Sequence, residues 1–121
     1  MKLSEKQQDF SRKVGIFLLW IYSHPGWAVT IDEIYRSQRL QDIYYKEGKT
    51  KTCYSKHTKK LAMDLNLFKN GRLIVERKKY RPLGEFWEFC LSGRWGGRFG
   101  IKKRDHDKKV GWDSRHFEYL D

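Results

Sequence analysis

The chain has 121 residues, 39% of them hydrophobic and 16% aromatic, and carries a formal net charge of +11. This length predicts one domain with a modest core, and the aromatic content, with five tryptophans, excludes a disordered polymer. The charge points to an anionic partner (nucleic acid, a bacterial envelope polymer such as teichoic acid, or phosphorylated lipid heads) or, as its ordinary reading, to a solvated basic surface.

Ser4 with Gln7 resembles a capping box, and Phe10, Val14, Phe17, Leu18 and Ile21 then recur at helical spacing. A helix over 4–23 is expected, ended by His24, Pro25 and Gly26. No apolar stretch precedes residue 14, so no secretory signal is read there, and the apolar run 14–22 is too short to span a bilayer. The protein is expected to be made and to fold in the cytoplasm. Residues 28–31 read as a short strand. Residues 37–47 read as a second helix, with Leu40, Ile43 and Tyr44 on one face and Gly48 as its stop. The polar stretch 48–56 has no apolar period and reads as a loop.

Leu61, Met63, Leu65 and Leu67 alternate with Ala62, Asp64 and Asn66, a strand pattern. Asn70-Gly71 is a strong hairpin signal, with 72–76 as the returning strand. Pro82 suits the first turn of a third helix. Phe86, Trp87, Cys90 and Leu91 are expected on its buried face, with Gly93 at its end. Residues 93–100 form a Gly- and Trp-rich loop, and 116–120 a last strand. This mixture of elements predicts the α+β class. Cys53 and Cys90 form no C-x-x-C and are too few for a disulfide framework. Both read as free thiols, with a single disulfide left open.

The alternation puts Asp64 on the face opposite the leucines. His57 lies seven residues earlier and can curl back over that face. His116 and Glu118 share one face of the last strand, and Phe117 and Tyr119 the other. If the two strands pair, His116 comes beside Asp64. Two imidazoles and one carboxylate suit a zinc ion with a position left for water. The spacing from His57 to Asp64 is not specific by itself, and H-E-x-x-H is absent. Each residue also has an ordinary reading, as a surface histidine or a strand-edge carboxylate.

The flanking residues add specificity. Ser55, His57, Ala62, Asp64 and Leu65, with Asp113, His116, Phe117 and Glu118 later, form one pattern. Tyr35, Arg36, Ser37 and Gln41, followed by Tyr44, Tyr45 and Gly48, precede it; Phe86, Trp87, Glu88, Trp95, Gly96, Gly97, Arg98 and Phe99 lie between its halves. Together these resemble the D-alanyl-D-alanine carboxypeptidase/L-alanyl-D-glutamate endopeptidase family of zinc peptidases, especially bacteriophage endolysins. The resemblance runs from about residue 28 to the C-terminus. It implies a small antiparallel sheet with helices packed on one side, the fold shared with hedgehog domains and lysostaphin-type enzymes.

The same resemblance implies roles. His57, Asp64 and His116 would hold Zn2+, and Asp113 would be the acid/base, its alternative being a turn carboxylate. Arg36 would polarise the scissile carbonyl, its alternative being a structural ion pair. Gln41 reads as structural. Glu118 would orient a ligand imidazole or stand as a strand-edge carboxylate. Trp95 and Phe99 would wall the substrate groove or fill the core. His24 and His106 are not assigned to the metal. Lys60 stands where the family often has glycine, so the loop entering the strand is expected to differ.

The implied protein is a monomeric endolysin cutting peptidoglycan stem peptides, L-alanyl-D-glutamate bonds first. It would wait in the host cytoplasm until a holin pore releases it to the wall. The other readings are a D-Ala-D-Ala carboxypeptidase, or a non-catalytic basic domain binding nucleic acid or cell wall. No helix-turn-helix, RNA-recognition or zinc-finger pattern supports the nucleic-acid reading.

Overall fold

A computed structural model describes residues 1–52 and 54–121. Cys53, and with it any pairing to Cys90, lies outside the described residues. Helix α1 runs Leu3–Tyr22, strand β1 Trp27–Glu33 and helix α2 Gln38–Lys46. A short 3-10 turn, Lys56–Lys59, leads into β2, Ala62–Lys69. The rest is β3 (Arg72–Leu73), α3 (Arg81–Phe89), β4 (Arg94–Trp95) and β5 (His116–Glu118), with further 3-10 turns at Arg77–Tyr80, Gly96–Arg98 and Lys103–Asp105. The fold is α+β, as expected. The sheet is antiparallel in the order β1-β2-β5-β4, and β3 pairs with β2 beside that path. Among the described residues no helix is long and apolar enough to cross a membrane.

β2 is the strand around which the molecule is organised. Its inward row, Met63, Leu65 and Leu67, is fully buried, and Leu61 just before it nearly so. α1 contributes Phe10, Phe17 and Ile21 to the same core, and α3 contributes Leu83 and Trp87. The Phe17 ring meets Phe117 of β5 at 5.0 Å and Trp87 at 5.1 Å, so both helices close over one face of the sheet. Trp87 Nε1 donates to the Glu118 carbonyl at 3.0 Å, which satisfies its one polar atom in the core.

Several local expectations shift. α1 starts before Ser4, and the Glu5 carboxylate, not Gln7, accepts from the Lys2 amide at 3.3 Å. In α2, Ile43 is exposed and Gln41 is the buried residue, so the Leu40, Ile43 and Tyr44 face is not a core face. α2 is polar and contributes no apolar side chain to the buried core. The strand after Asn70-Gly71 ends at Leu73 rather than 76. The turn itself is as expected, since Asn70 (φ 51°) and Gly71 (φ 80°) both adopt left-handed backbone, the geometry of a tight hairpin. Cys90 is exposed at the C-cap of α3, not in its core. α3 ends one residue earlier, so Leu91 reaches the core from the following turn.

Candidate metal centre

The sheet register assembles the site. A bulge in β1 between Ile31 and Glu33 brings Glu33 opposite Asp64, and Asp64 is in turn opposite His116. Glu33, Asp64 and His116 therefore form one row across three strands. His57 joins from the 3-10 turn before β2. That turn is capped by Ser55, whose side chain accepts from the His57 amide at 3.2 Å. It closes at Lys60, which adopts left-handed backbone at φ 57°. Glycine takes this conformation without penalty, which explains why the resemblance carries glycine at this position.

Potential ligand atoms of His57, Asp64 and His116 all lie within 4.8 Å of one another. His57 Nε2 is 3.4 Å from Asp64 Oδ2, and His116 Nδ1 is 3.1 Å from Asp64 Oδ1. The far nitrogen of each ring has its own acceptor. His57 Nδ1 donates to the Ile34 carbonyl at 3.1 Å. His116 Nε2 donates to Glu118 Oε1 at 2.8 Å. Each outer partner pins a ring orientation and leaves the other nitrogen facing Asp64, as metal-binding histidines require. Glu118 is thus bonded to the His116 ring, and the Ile34 carbonyl to the His57 ring. Two borderline nitrogens and one hard oxygen, with a cleft above them, fit zinc.

The charges agree with a cation-seeking centre. Burial opposes ionisation of Asp64, but hydrogen bonds to His116 and His57 hold its carboxyl below the usual carboxylate range. Burial also opposes charge on His116, yet hydrogen bonds to Asp64 and Glu118, with the nearby Asp113 carboxylate, push it up to about 9. The His116 imidazolium thus stands between the Asp64, Glu118 and Asp113 carboxylates.

Asp113 lies at the edge of this group, with Oδ2 3.8 Å from His116 Nδ1. Burial raises its carboxyl above the ordinary value, against the pull of His116. Its backbone carbonyl accepts from the His116 amide at 3.1 Å, a turn that presents both side chains together. Gly96 makes room for this turn: a Cβ there would stand 2.1 Å from the Asp113 carbonyl oxygen. The tryptophan- and glycine-rich stretch therefore supports the site from beneath. Trp95 is fully buried, its Nε1 donating to the Ser114 carbonyl at 2.7 Å. It belongs to the core, whereas Phe99 lines the cleft.

The cleft has a volume of about 650 Å³ and reaches from the metal-ligand group to Arg36, Lys51, Arg94, Phe99 and Trp112. Arg36 is on its wall, but both terminal nitrogens are engaged, by Glu33 and by Gln41 Oε1 at 2.6 Å. Gln41, fully buried, also donates to the Thr52 carbonyl at 2.6 Å and so ties α2 to Thr52 at the cleft rim. Glu33 was not singled out from sequence, because only the bulge turns it toward this side. His24 Nδ1 bonds the Trp20 carbonyl at 2.8 Å, and His106 Nε2 the Ile101 carbonyl at 3.0 Å, both apart from the ligand group.

Among solved structures, the chain is similar to the crystal structure of Serratia marcescens L-Ala D-Glu endopeptidase ChiX, with a TM-score of 0.64 over 97% of this chain and 85% of that one, at 19% sequence identity. The two chains share a fold. No protein-family model matches the chain, and no curated protein does. The likeness therefore lies in the architecture, with little overall sequence identity behind it.

Proposed function

We propose that this chain is a zinc-dependent peptidase that cleaves stem peptides of peptidoglycan, with the L-alanyl-D-glutamate bond as its preferred target. The observation that carries the reading is the convergence of His57, Asp64 and His116 within 4.8 Å at the floor of an open cleft. The fold shared with an enzyme described as an L-Ala D-Glu endopeptidase supports the substrate class.

In this reading His57 and His116 offer one nitrogen each, and Asp64 an oxygen, to the metal. Zinc held there supplies Lewis acidity, which lowers the pKa of water to about 7. Asp113 takes a proton from the attacking water and passes it to the leaving amine as the C–N bond breaks. Its raised carboxyl makes it a stronger base than an exposed aspartate. Glu118 and the Ile34 carbonyl keep the two imidazoles in place throughout. Arg36 is assigned the developing charge on the carbonyl oxygen. For this it must exchange one partner, Glu33 or Gln41, for substrate.

Action during lysis of a bacterial host, from the cytoplasm through a holin pore to the wall, belongs to the same reading. The charge of +11 supports attraction to an anionic envelope. The test is to incubate the zinc-loaded protein with purified peptidoglycan, with and without chelator, and to identify new termini by mass spectrometry. New alanine carboxyl and glutamate amino termini, abolished by chelator, are expected. Released D-alanine would make the protein a carboxypeptidase instead, and unchanged peptidoglycan would remove the peptidase reading altogether.

A further inference from the structure

Residues 100–111 form a loop whose two ends meet at the cleft. The Gly111 amide donates to the Gly97 carbonyl at 2.6 Å, and the rings of Phe99 and Trp112, both on the cleft wall, are 6.2 Å apart. Between these ends the loop carries Lys102, Lys103, Arg104, Lys108 and Lys109 against Asp105 and Asp107, a net charge of three. All five cations are exposed. Among the described residues none of them has an ion-pair or hydrogen-bond partner for its side chain. Cations elsewhere are commonly paired, as Lys6 and Lys56 are with Asp121, and Arg12 and Lys13 with Asp9.

The loop is braced rather than loose. Arg81 Nη1 and Arg98 Nη1 both donate to the His106 carbonyl, at 2.8 and 2.7 Å. The His106 ring reaches back to the Ile101 carbonyl, and the Lys108 and Lys109 amides both bond the Asp105 carbonyl. The Arg81 bridge also brings up the turn Arg77–Tyr80, with Arg77, Lys78 and Lys79 exposed. Segments 77–81 and 102–109 together hold seven of the eleven net charges. In the turn, Lys79 is paired with Glu76 at 3.8 Å and Arg81 is held by carbonyls, so the unpaired charge lies mainly on the loop; holding unpaired like charges together costs stability, and a braced loop of this kind points to an external anion. Four of the five loop cations are lysines, which attract spaced phosphates as point charges and lack the fork that fixes a planar group.

The geometry points to this braced loop, with the adjoining turn, as a docking surface for a cell-wall polymer of repeating phosphodiesters. The identity of the polymer rests on the peptidoglycan reading above. A polymer attached to the wall and lying on this loop would hold the cleft, which opens at the loop's base, against the peptide to be cut. The partner need not enter the cleft, so the surface acts on wall-bound substrate and is silent toward a short soluble peptide.

The test compares two full-length variants, each losing four exposed cations. One is K102Q/K103Q/K108Q/K109Q; the control is K2Q/R39Q/K46Q/K59Q. Binding to soluble polyglycerol phosphate and to duplex DNA is followed by anisotropy over a salt series. The loop variant is expected to bind polyglycerol phosphate at least about tenfold more weakly, with a log–log salt slope shallower by about three, while the control stays near the parent. Hydrolysis of a soluble stem peptide is expected to be unchanged in both. Equal losses in the two variants would reduce the effect to net charge and overturn the proposal. Tighter binding to DNA than to polyglycerol phosphate through the same four lysines would overturn it in favour of nucleic acid. The binding assay contains no cleavable bond, so an inactive parent protein would count against the peptidase reading, whereas the binding series alone decides whether this loop is the phosphodiester-docking surface.

Discussion

The two faces of β2 solve opposite problems with one repeat. On one side Met63, Leu65 and Leu67 vanish beneath α1 and α3 with no exposure left. On the other, Asp64 keeps a quarter of its side chain exposed and is held by two imidazoles. The core face owes its stability to area and fit and needs no particular partner. The site face consists of buried polar groups whose cost is met only by mutual hydrogen bonds or a cation. The core face therefore tolerates exchange by volume, whereas the site face is specified atom by atom.

The sharpest way to separate the faces is to cut each once. Asp113→Ala is expected to lower hydrolysis by about 10²–10⁴-fold while zinc content stays the same. Retained activity with retained zinc would take Asp113 out of the mechanism. Leu65→Ala is expected to cost about 2–5 kcal/mol by urea unfolding, through the lost contacts and the cavity left behind. Its zinc affinity should be unchanged while the chain stays folded. A zinc loss in Leu65→Ala at temperatures where it is folded would mean that the two faces are not independent.

A pH series probes the site face alone. His116 is raised from 6.5 to about 9 in the folded chain. Its contribution to the metal-free protein is therefore fully present below pH 6.5 and lost as pH climbs through 9. The size is at most about 3 kcal/mol. Asp64, held low, contributes above its ordinary value of 3.8 and loses this only in strong acid. Unfolding of chelated protein at pH 6 and pH 10 is expected to show the loss, and His116→Gln to remove most of it. A flat profile in the parent would contradict the proton's place among the carboxylates.

Lys60→Gly makes the smallest change. Relief of left-handed backbone at a non-glycine residue is worth about 1 kcal/mol, less the chain entropy that glycine adds to the unfolded state. A small rise in melting temperature with unchanged zinc affinity is expected. A fall would show that the Lys60 side chain, which lies over the Tyr35 ring at 5.4 Å, holds the turn.

Much of this was legible because period two leaves no choice of face. Once Leu61 to Leu67 were read as a strand, Asp64 had to oppose them, and pairing with 116–118 set His116 beside it. The hairpin at Asn70-Gly71 was legible for the same local reason. Other features depend on contacts made at a distance. Cys90 sits at helical spacing from Trp87, but α3 stops before it and turns it to solvent. Glu33 reaches the site only through a bulge, and a bulge leaves no mark in composition. Arg36, expected at the site from the resemblance, lines the cleft. That Glu33 and Gln41 would occupy its guanidinium was not legible, because both partners are positioned by tertiary structure.

The central claim is that the polar face of β2 is a metal centre. It is tested most directly by measuring zinc per chain after loading and desalting, in the parent, in Asp64→Ala and in Leu65→Ala. One zinc per chain is expected in the parent and in Leu65→Ala, and none in Asp64→Ala with its circular dichroism preserved. Equal zinc in all three, or none in the loaded parent, would contradict the account.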